Sequence, residues 1–169
     1  DRNYAGIGTN KSVITLDGYS NYLTIPDSAD WDFGTGEMAI ECWFNIKKSP
    51  ASAYSSLISH TSGTGTGWSD IGWTIHNKSD GKIEAQAGNG TDTGITFTTT
   101  LTYDDNKWHH VVFTRVSSTT YLYIDGQLID STGTTWDTAD DAFPVRIGWG
   151  YHCLLYTSDA ADERYSVDI

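Results

Sequence analysis

Trp108-His109-His110-Val111 and, ten residues further on, Tyr121-Leu122-Tyr123-Ile124-Asp125-Gly126 decide how this chain is read. Both lie in stretches dense in β-branched and aromatic residues, 107–116 and 119–124, with only Ser117-Ser118 between them. Such side chains fit a pleated, half-buried surface, so two of these stretches around a short polar break predict a β-hairpin. Asp125-Gly126 predicts the next tight turn, because glycine takes positive φ without a clash and aspartate bonds nearby backbone amides. Consecutive hairpins with an apolar face predict a sheet that must be covered by a second one.

Outward from the hairpin, the cleanest period-two alternation lies at residues 38–47. Met38, Ile40, Cys42, Phe44 and Ile46 share one face, and Ala39, Glu41, Trp43, Asn45 and Lys47 share the other. This predicts a central strand with the first set in the core. Strands are also expected at 12–17, 21–26, 56–60, 71–76, 82–87, 94–101, 127–131 and 145–149, with Val13, Leu16, Leu23 and Ile25 facing inward or an interface. No helix is expected before residue 150. Short strands at regular spacing with turn residues between them predict an all-β fold, a two-sheet antiparallel sandwich of jelly-roll type.

Composition narrows the function classes. The 169 residues suit one domain, and 7 Trp, 10 Tyr and 17 Gly favour strands and turns. The net charge of −12, from 22 acidic and 10 basic residues, repels a phosphate backbone, so nucleic acid is not an expected partner. No apolar run approaches membrane-spanning length, so no membrane insertion is expected. Cys42 and Cys153 make no disulfide framework, and Cys42 falls within a strand pattern where a thiol acts as a small hydrophobe. Three Asn-x-Ser/Thr matches, beginning at Asn10, Asn77 and Asn89, decide nothing in a chain so rich in these residues.

Residues 11–150 resemble the laminin-G-like, concanavalin A-like jelly rolls. The likeness rests on Leu16-Asp17-Gly18, Asn21-Tyr22-Leu23, Ile25-Pro26-Asp27-Ser28, Trp31-Asp32-Phe33-Gly34-Thr35-Gly36 and Ile40-Glu41-Cys42-Trp43-Phe44. It continues through the Trp108-His109-His110 strand, residues 121–126 and Arg146-Ile147-Gly148. Residues 30–36 are similar to versions in tail-fibre and other structural proteins of phages and viruses; such modules also occur in bacterial surface proteins and beside secreted glycosidases. Residues 1–10 are a lead-in. The resemblance implies a last strand beside the first, and residues 151–169 carry no matching pattern. Cys153 to Glu163 resembles translated sequencing-adapter read-through of the kind met in metagenomic fragments. The sandwich is therefore expected to lack its last strand and to end in a non-native tail. The start at Asp1, with neither Met nor signal segment, is expected of a piece of a larger parent chain carrying other domains.

Glucanases of this architecture pair carboxylates as E-x-D-x-E on one strand face, at the separation retaining hydrolysis needs. Here Glu37 and Glu41 have Ala39 between them, and no catalytic residues are assigned. His109 and His110 alternate to opposite faces of a strand, so they cannot share a metal ion. By the resemblance, Trp108 and His110 are structural, with a ring nitrogen bonded to backbone. Asp30, Asp32 and Gly34 fail the EF-hand register. The turn at residues 17–21 is the better cation candidate: the resemblance places a structural Ca²⁺ near it, with Asp17 and Asn21 as side-chain ligands. Sugar ligands call for exposed aromatic rings with amides and carboxylates around them. Trp43 and Trp108 are read as core, whereas Trp68, Trp136 and Trp149 border polar loops and are the candidate ligand-binding residues, with Asp70, Asn89, Asp92 and Asp137 near them in sequence pattern. The expected function is a non-catalytic recognition or adhesion module, extracellular, on a cell surface or on a virion, binding carbohydrate or a cell-surface protein. The alternatives are a structural spacer of a fibre and an accessory domain of a glycosidase.

Overall fold

The computed structural model describes residues 13–16, 21–50, 54–61, 71–89, 93–134, 136–138, 142–149 and 165–168, with backbone alone at Ile71, Thr93 and 165–168. The elements are β1 (Ile14–Leu16), β2 (Leu23–Ile25), β3 (Met38–Ile46), β4 (Tyr54–Thr61), β5 (Ile71–Lys78) and β6 (Ile83–Gly88). They continue with β7 (Thr93–Thr98), β8 (Trp108–Val116), β9 (Thr119–Ile124), β10 (Gln127–Thr132), β11 (Val145–Ile147) and β12 (Tyr165–Asp168). A 3-10 turn at Ala29–Trp31, capped by the Ser28 side chain, joins β2 to β3.

The strands form two antiparallel sheets. The first has the order β1-β12-β3-β8-β9-β10, and the second has the order β2-β11-β4-β5-β6-β7. The hairpin of β8 and β9 pairs Val116 with Thr119. Ser117 and Ser118 take φ of 47° and 68°, and Asp125 and Gly126 take 52° and 75°. Positive φ at both central residues marks the turn whose twist matches that of the flanking strands. The Asp125 carboxylate then accepts the His110 amide at 2.8 Å, locking the second turn onto β8.

Period-two alternation places the core between the sheets. Phe44, Ile46, Val111, Phe113 and Leu122 from the first sheet are fully buried, facing Ile75, Ile83 and Ala85 from the second. Cys42 is buried with them as a free thiol, and burial foremost, with Glu41 nearby, pushes it up to about 12.

One end of the sandwich is held by a cation. Arg115 is 1% exposed and donates to three backbone carbonyls: Nε to Gly36 at 2.6 Å, Nη1 to Trp136 at 2.6 Å and Nη2 to Gly34 at 2.7 Å. Burial pushes the guanidinium below its ordinary value, and Asp137 opposes that shift. The planar fork satisfies two loops at once, which a point charge cannot do. Trp136, so anchored, lays its indole across Gly94, where a Cβ would overlap the ring.

Several expectations change. The last strand is present: β12 pairs with both β1 and β3. Residues 151–164 lie outside the described residues. Leu16 is in the core, but Val13, Leu23 and Ile25 are 44%, 37% and 36% exposed. β2 is the edge of its sheet, where one flank has no strand neighbour among the described residues. Trp43 is 48% exposed instead of buried, because strand alternation sets its direction regardless of its size.

Replacing Arg115 with Ala orphans three carbonyls and is expected to lower unfolding free energy by about 3 kcal/mol, read from the urea midpoint. Gly94→Ala is expected to displace the Trp136 ring and cost about 1–3 kcal/mol, with a shift of the Trp136 indole NMR signal.

Candidate functional site

The inward alternation of Trp73, Ile75, Ile83, Ala85, Ala87, Ile95 and Phe97 forces the intervening residues onto the opposite face of the second sheet. Strand pairing aligns them in a row across six strands: Thr24, Arg146, Ser59, Thr74, Gln86 and Thr96. A second row holds Ser56, His76, Glu84 and Thr98, and Tyr54 and Lys78 face one another beyond it. Every one of these outward groups is polar or aromatic. Ser59, Thr74 and Gln86 form a sunken floor, and half-buried Arg146, Tyr54, Lys78 and Thr98 stand around it.

Glu84 is the hub, 4% exposed. Its Oε1 accepts from His76 Nε2 at 3.1 Å and Gln86 Nε2 at 2.9 Å, and its Oε2 from Lys78 Nζ at 3.1 Å and Thr98 Oγ1 at 2.6 Å. Burial alone would raise this carboxyl, but the donors outweigh it and hold it at about 2. Burial, only partly offset by Glu84, pushes His76 below its usual value. A neutral imidazole facing an ionised carboxylate must carry its proton on Nε2. Tyr54 packs edge-on against His76 at 4.5 Å, and the Lys78 ammonium lies 5.9 Å from the Tyr54 ring.

At the other side of the floor, Arg146 Nη1 donates to the Thr61 carbonyl at 2.9 Å while its guanidinium covers the Trp149 ring at 4.8 Å. Between Arg146 and Thr74, Ser59 is 1% exposed and its hydroxyl has no hydrogen-bond partner among the described residues. A buried hydroxyl without a partner carries a desolvation penalty that a polar ligand atom relieves. The face therefore carries hydroxyls, an amide and a guanidinium on its strands, with Ser59, Thr74 and Gln86 at its centre almost wholly buried and Arg146, Tyr54, Lys78 and Trp149 half-buried at its margin.

The structure separates the residues picked from the sequence. Trp149 lies at this face through its contact with Arg146, beside the start of β4, where its carbonyl accepts from Ser56 N at 2.9 Å. Trp136 lies at the opposite end of the sandwich, half-buried against the core above Gly94. Asn21 is exposed just before β2. Asp17, Trp68, Asp70 and Asp92 lie outside the described residues, and no cluster of three potential metal ligands occurs among those described. Asn89 and Asp137 are exposed.

The histidines also part ways. His109 faces inward, its Nδ1 2.7 Å from Asp125 and its Nε2 3.1 Å from Asp105. Carboxylates only accept, so both bonds form together only with the imidazolium. Burial would raise Asp105, but bonds from Lys107 and His109 hold it at about 2. Among the described residues the His110 ring has no backbone partner, contrary to expectation: it faces outward, stacked on Trp43 at 4.8 Å with Glu41 3.4 Å away. Glu84 and Arg146 were missed in sequence, although Lys82, Glu84 and Gln86 alternate with Ile83, Ala85 and Ala87. That alternation was a usable signal for an outward polar row.

A two-sheet antiparallel sandwich presenting a preorganised polar face on one sheet defines a lectin-type binding fold. The chain belongs to the concanavalin A-like lectin/glucanases superfamily, whose laminin-G family profile matches residues 17–161. Among curated proteins, none matches the sequence. Similar solved structures include the binding domain of Paraclostridial Mosquitocidal Protein 1, at 16% identity and TM-score 0.69, covering 95% of this chain and 41% of that one. The Ruminococcus gnavus IT-sialidase CBM40 bound to α2,3-sialyllactose matches at 14% identity and TM-score 0.60, covering 94% and 89%. Mouse laminin α1 chain domains LG4-5 match at 18% and 0.53, covering 94% and 40%. The chain thus spans about two fifths of the mosquitocidal protein's binding domain. At such identities the likeness shows the fold alone, and that fold is shared with binding domains.

Glu84 is held at about 2 against an ordinary 4.5, so its contribution is complete above the unfolded value and disappears as pH falls between these limits. His76, held below 6.5, adds a loss that starts as pH drops through that value. Stability against urea is expected to begin declining below pH 6.5, with Glu84 adding to the loss below 4.5. Glu84→Gln is expected to be less stable at neutral pH and to show less of the decline below pH 4.5.

Proposed function

We propose that this domain is a non-catalytic glycan-recognition module that takes its ligand on the outer face of the second sheet. The observation that carries the reading is the strand-borne row of Arg146, Ser59, Thr74, Gln86 and Thr96, with the buried Ser59 hydroxyl lacking a partner among the described residues. Sugar hydroxyls are both donors and acceptors, and they suit a floor of hydroxyl, amide and guanidinium groups. Trp149 and Tyr54 supply aromatic surface for the C–H face of a sugar ring. Glu84 supports binding over bond cleavage: its four acceptor positions are taken and its pKa is about 2, so it carries no proton to give near neutrality. The sialyllactose-bound relative of the same fold adds support. The proposed setting is extracellular, on a cell or virion surface, within a longer chain that carries other domains.

A glycan array with the purified chain is the direct test. Specific binding that drops at least about tenfold in both Arg146→Ala and Trp149→Ala is expected, the size of losing a main anchor. Binding untouched by both variants, or none across a broad panel, would overturn the reading and leave a spacer domain.

A further inference from the structure

The outer face of the first sheet has a different chemistry. Trp43 sits on β3, with strands on both sides of it, yet it is 48% exposed. A large ring left open in mid-sheet, rather than at a frayed edge, is unusual for packing alone. His110 stacks on it at 4.8 Å and 22° between planes, which holds the indole in place. The Glu41 carboxylate, 66% exposed, lies two residues away on the same face and 3.4 Å from His110 Nε2. The next row continues from Glu41 through Val112 and Tyr123 to Leu128, which is 54% exposed. Tyr121 stacks beside Tyr123 at 6.0 Å.

Charge selects the occupant. Across β3, β8, β9 and β10 the only lysine or arginine is Arg115, and it is buried on the inner side. Within these strands the charge beside Trp43 is Glu41; Asp125 lies at the neighbouring turn, exposed Lys47 follows the end of β3, and the whole chain carries −12. An indole face beside a carboxylate is a site for an ammonium or guanidinium group, attracted by the ring quadrupole and the charge together. A second copy of this chain would bring like charge. The strip crosses four strands, about 15 Å at ordinary strand spacing, the reach of an extended segment rather than one sugar ring.

We infer that this face docks a basic, extended segment of a partner protein, with an arginine or lysine side chain seated on the part of the Trp43 ring that His110 leaves open, beside Glu41. It is separate from the polar face of the second sheet and does not rest on the function proposed there. Partner aromatic or aliphatic residues then cover Val112, Tyr123 and Leu128.

The test is calorimetric titration of the whole chain with a hexa-arginine peptide, alongside a hexa-glutamate peptide and the variants Trp43→Ala, Trp43→Phe, Glu41→Gln and Asp80→Asn. Asp80 is exposed on the β5–β6 turn of the other sheet and controls for bulk charge. The expected result is salt-sensitive arginine binding, weakened about tenfold by Trp43→Ala and several-fold by Glu41→Gln, partly kept by Trp43→Phe and unchanged by Asp80→Asn. All three positions are exposed, and unchanged circular dichroism checks that the fold is kept. No binding at millimolar peptide, equal weakening by Asp80→Asn and Glu41→Gln, or indifference to Trp43→Ala overturns the proposal. So does array binding of glycans that Trp43→Ala abolishes while hexa-arginine binding persists.

Discussion

Phe113 of the first sheet meets Phe97 of the second edge to face, ring centroids 6.2 Å apart, and every other feature depends on this contact between layers. Burying such rings between the sheets is the main favourable term for a fold with so little helix. Once one face of each strand is committed to that gap, the pleat sends the intervening residues outward without further choice. The molecule therefore has two faces turned away from the core between the sheets, and the sequence fills them differently. One is polar and sunken; the other is aromatic and acidic.

Both charged groups buried near those faces follow the same physical rule. Glu84 is removed from water yet ionised because four donors replace its hydration, and Arg115 stays charged because three carbonyls do the same. Each ties separate strands or loops together: β5, β6 and β7 around Glu84, and the loops carrying Gly34, Gly36 and Trp136 around Arg115. A charge in this position loses several donors or acceptors if its neighbours shift, so it fixes geometry more than it adds stability. Trp149 is placed instead by Arg146 and the Ser56 amide, and Ser59 by the pairing of β4 with β5 and β11.

Much of the architecture was legible in residues alone. The alternation at 38–46 and the paired stretches around Ser117-Ser118 mark strands and turns whose observed bounds differ by a residue or so. The last strand was not legible, because Tyr165–Asp168 has only four residues and gains its partners from β1 and β3. Trp43 was misjudged for another reason: its size argued for burial while its position in the alternation argued against it, and the pleat prevails. His110 likewise owes its partners, Trp43 and Glu41, to register across the β3–β8 pair.

Residue order by itself determined that this chain is all-β, because period-two patterning and turn residues act within a few positions of one another. It also determined which residues share a strand face. Only the tertiary structure decided that Trp136 and Trp149 stand at opposite ends, that Arg146, Ser59, Thr74 and Gln86 line up, and that Glu84 gathers four donors. Those groupings join positions far apart in the chain. They come from the register between strands, which is set by how two sheets close over a common core.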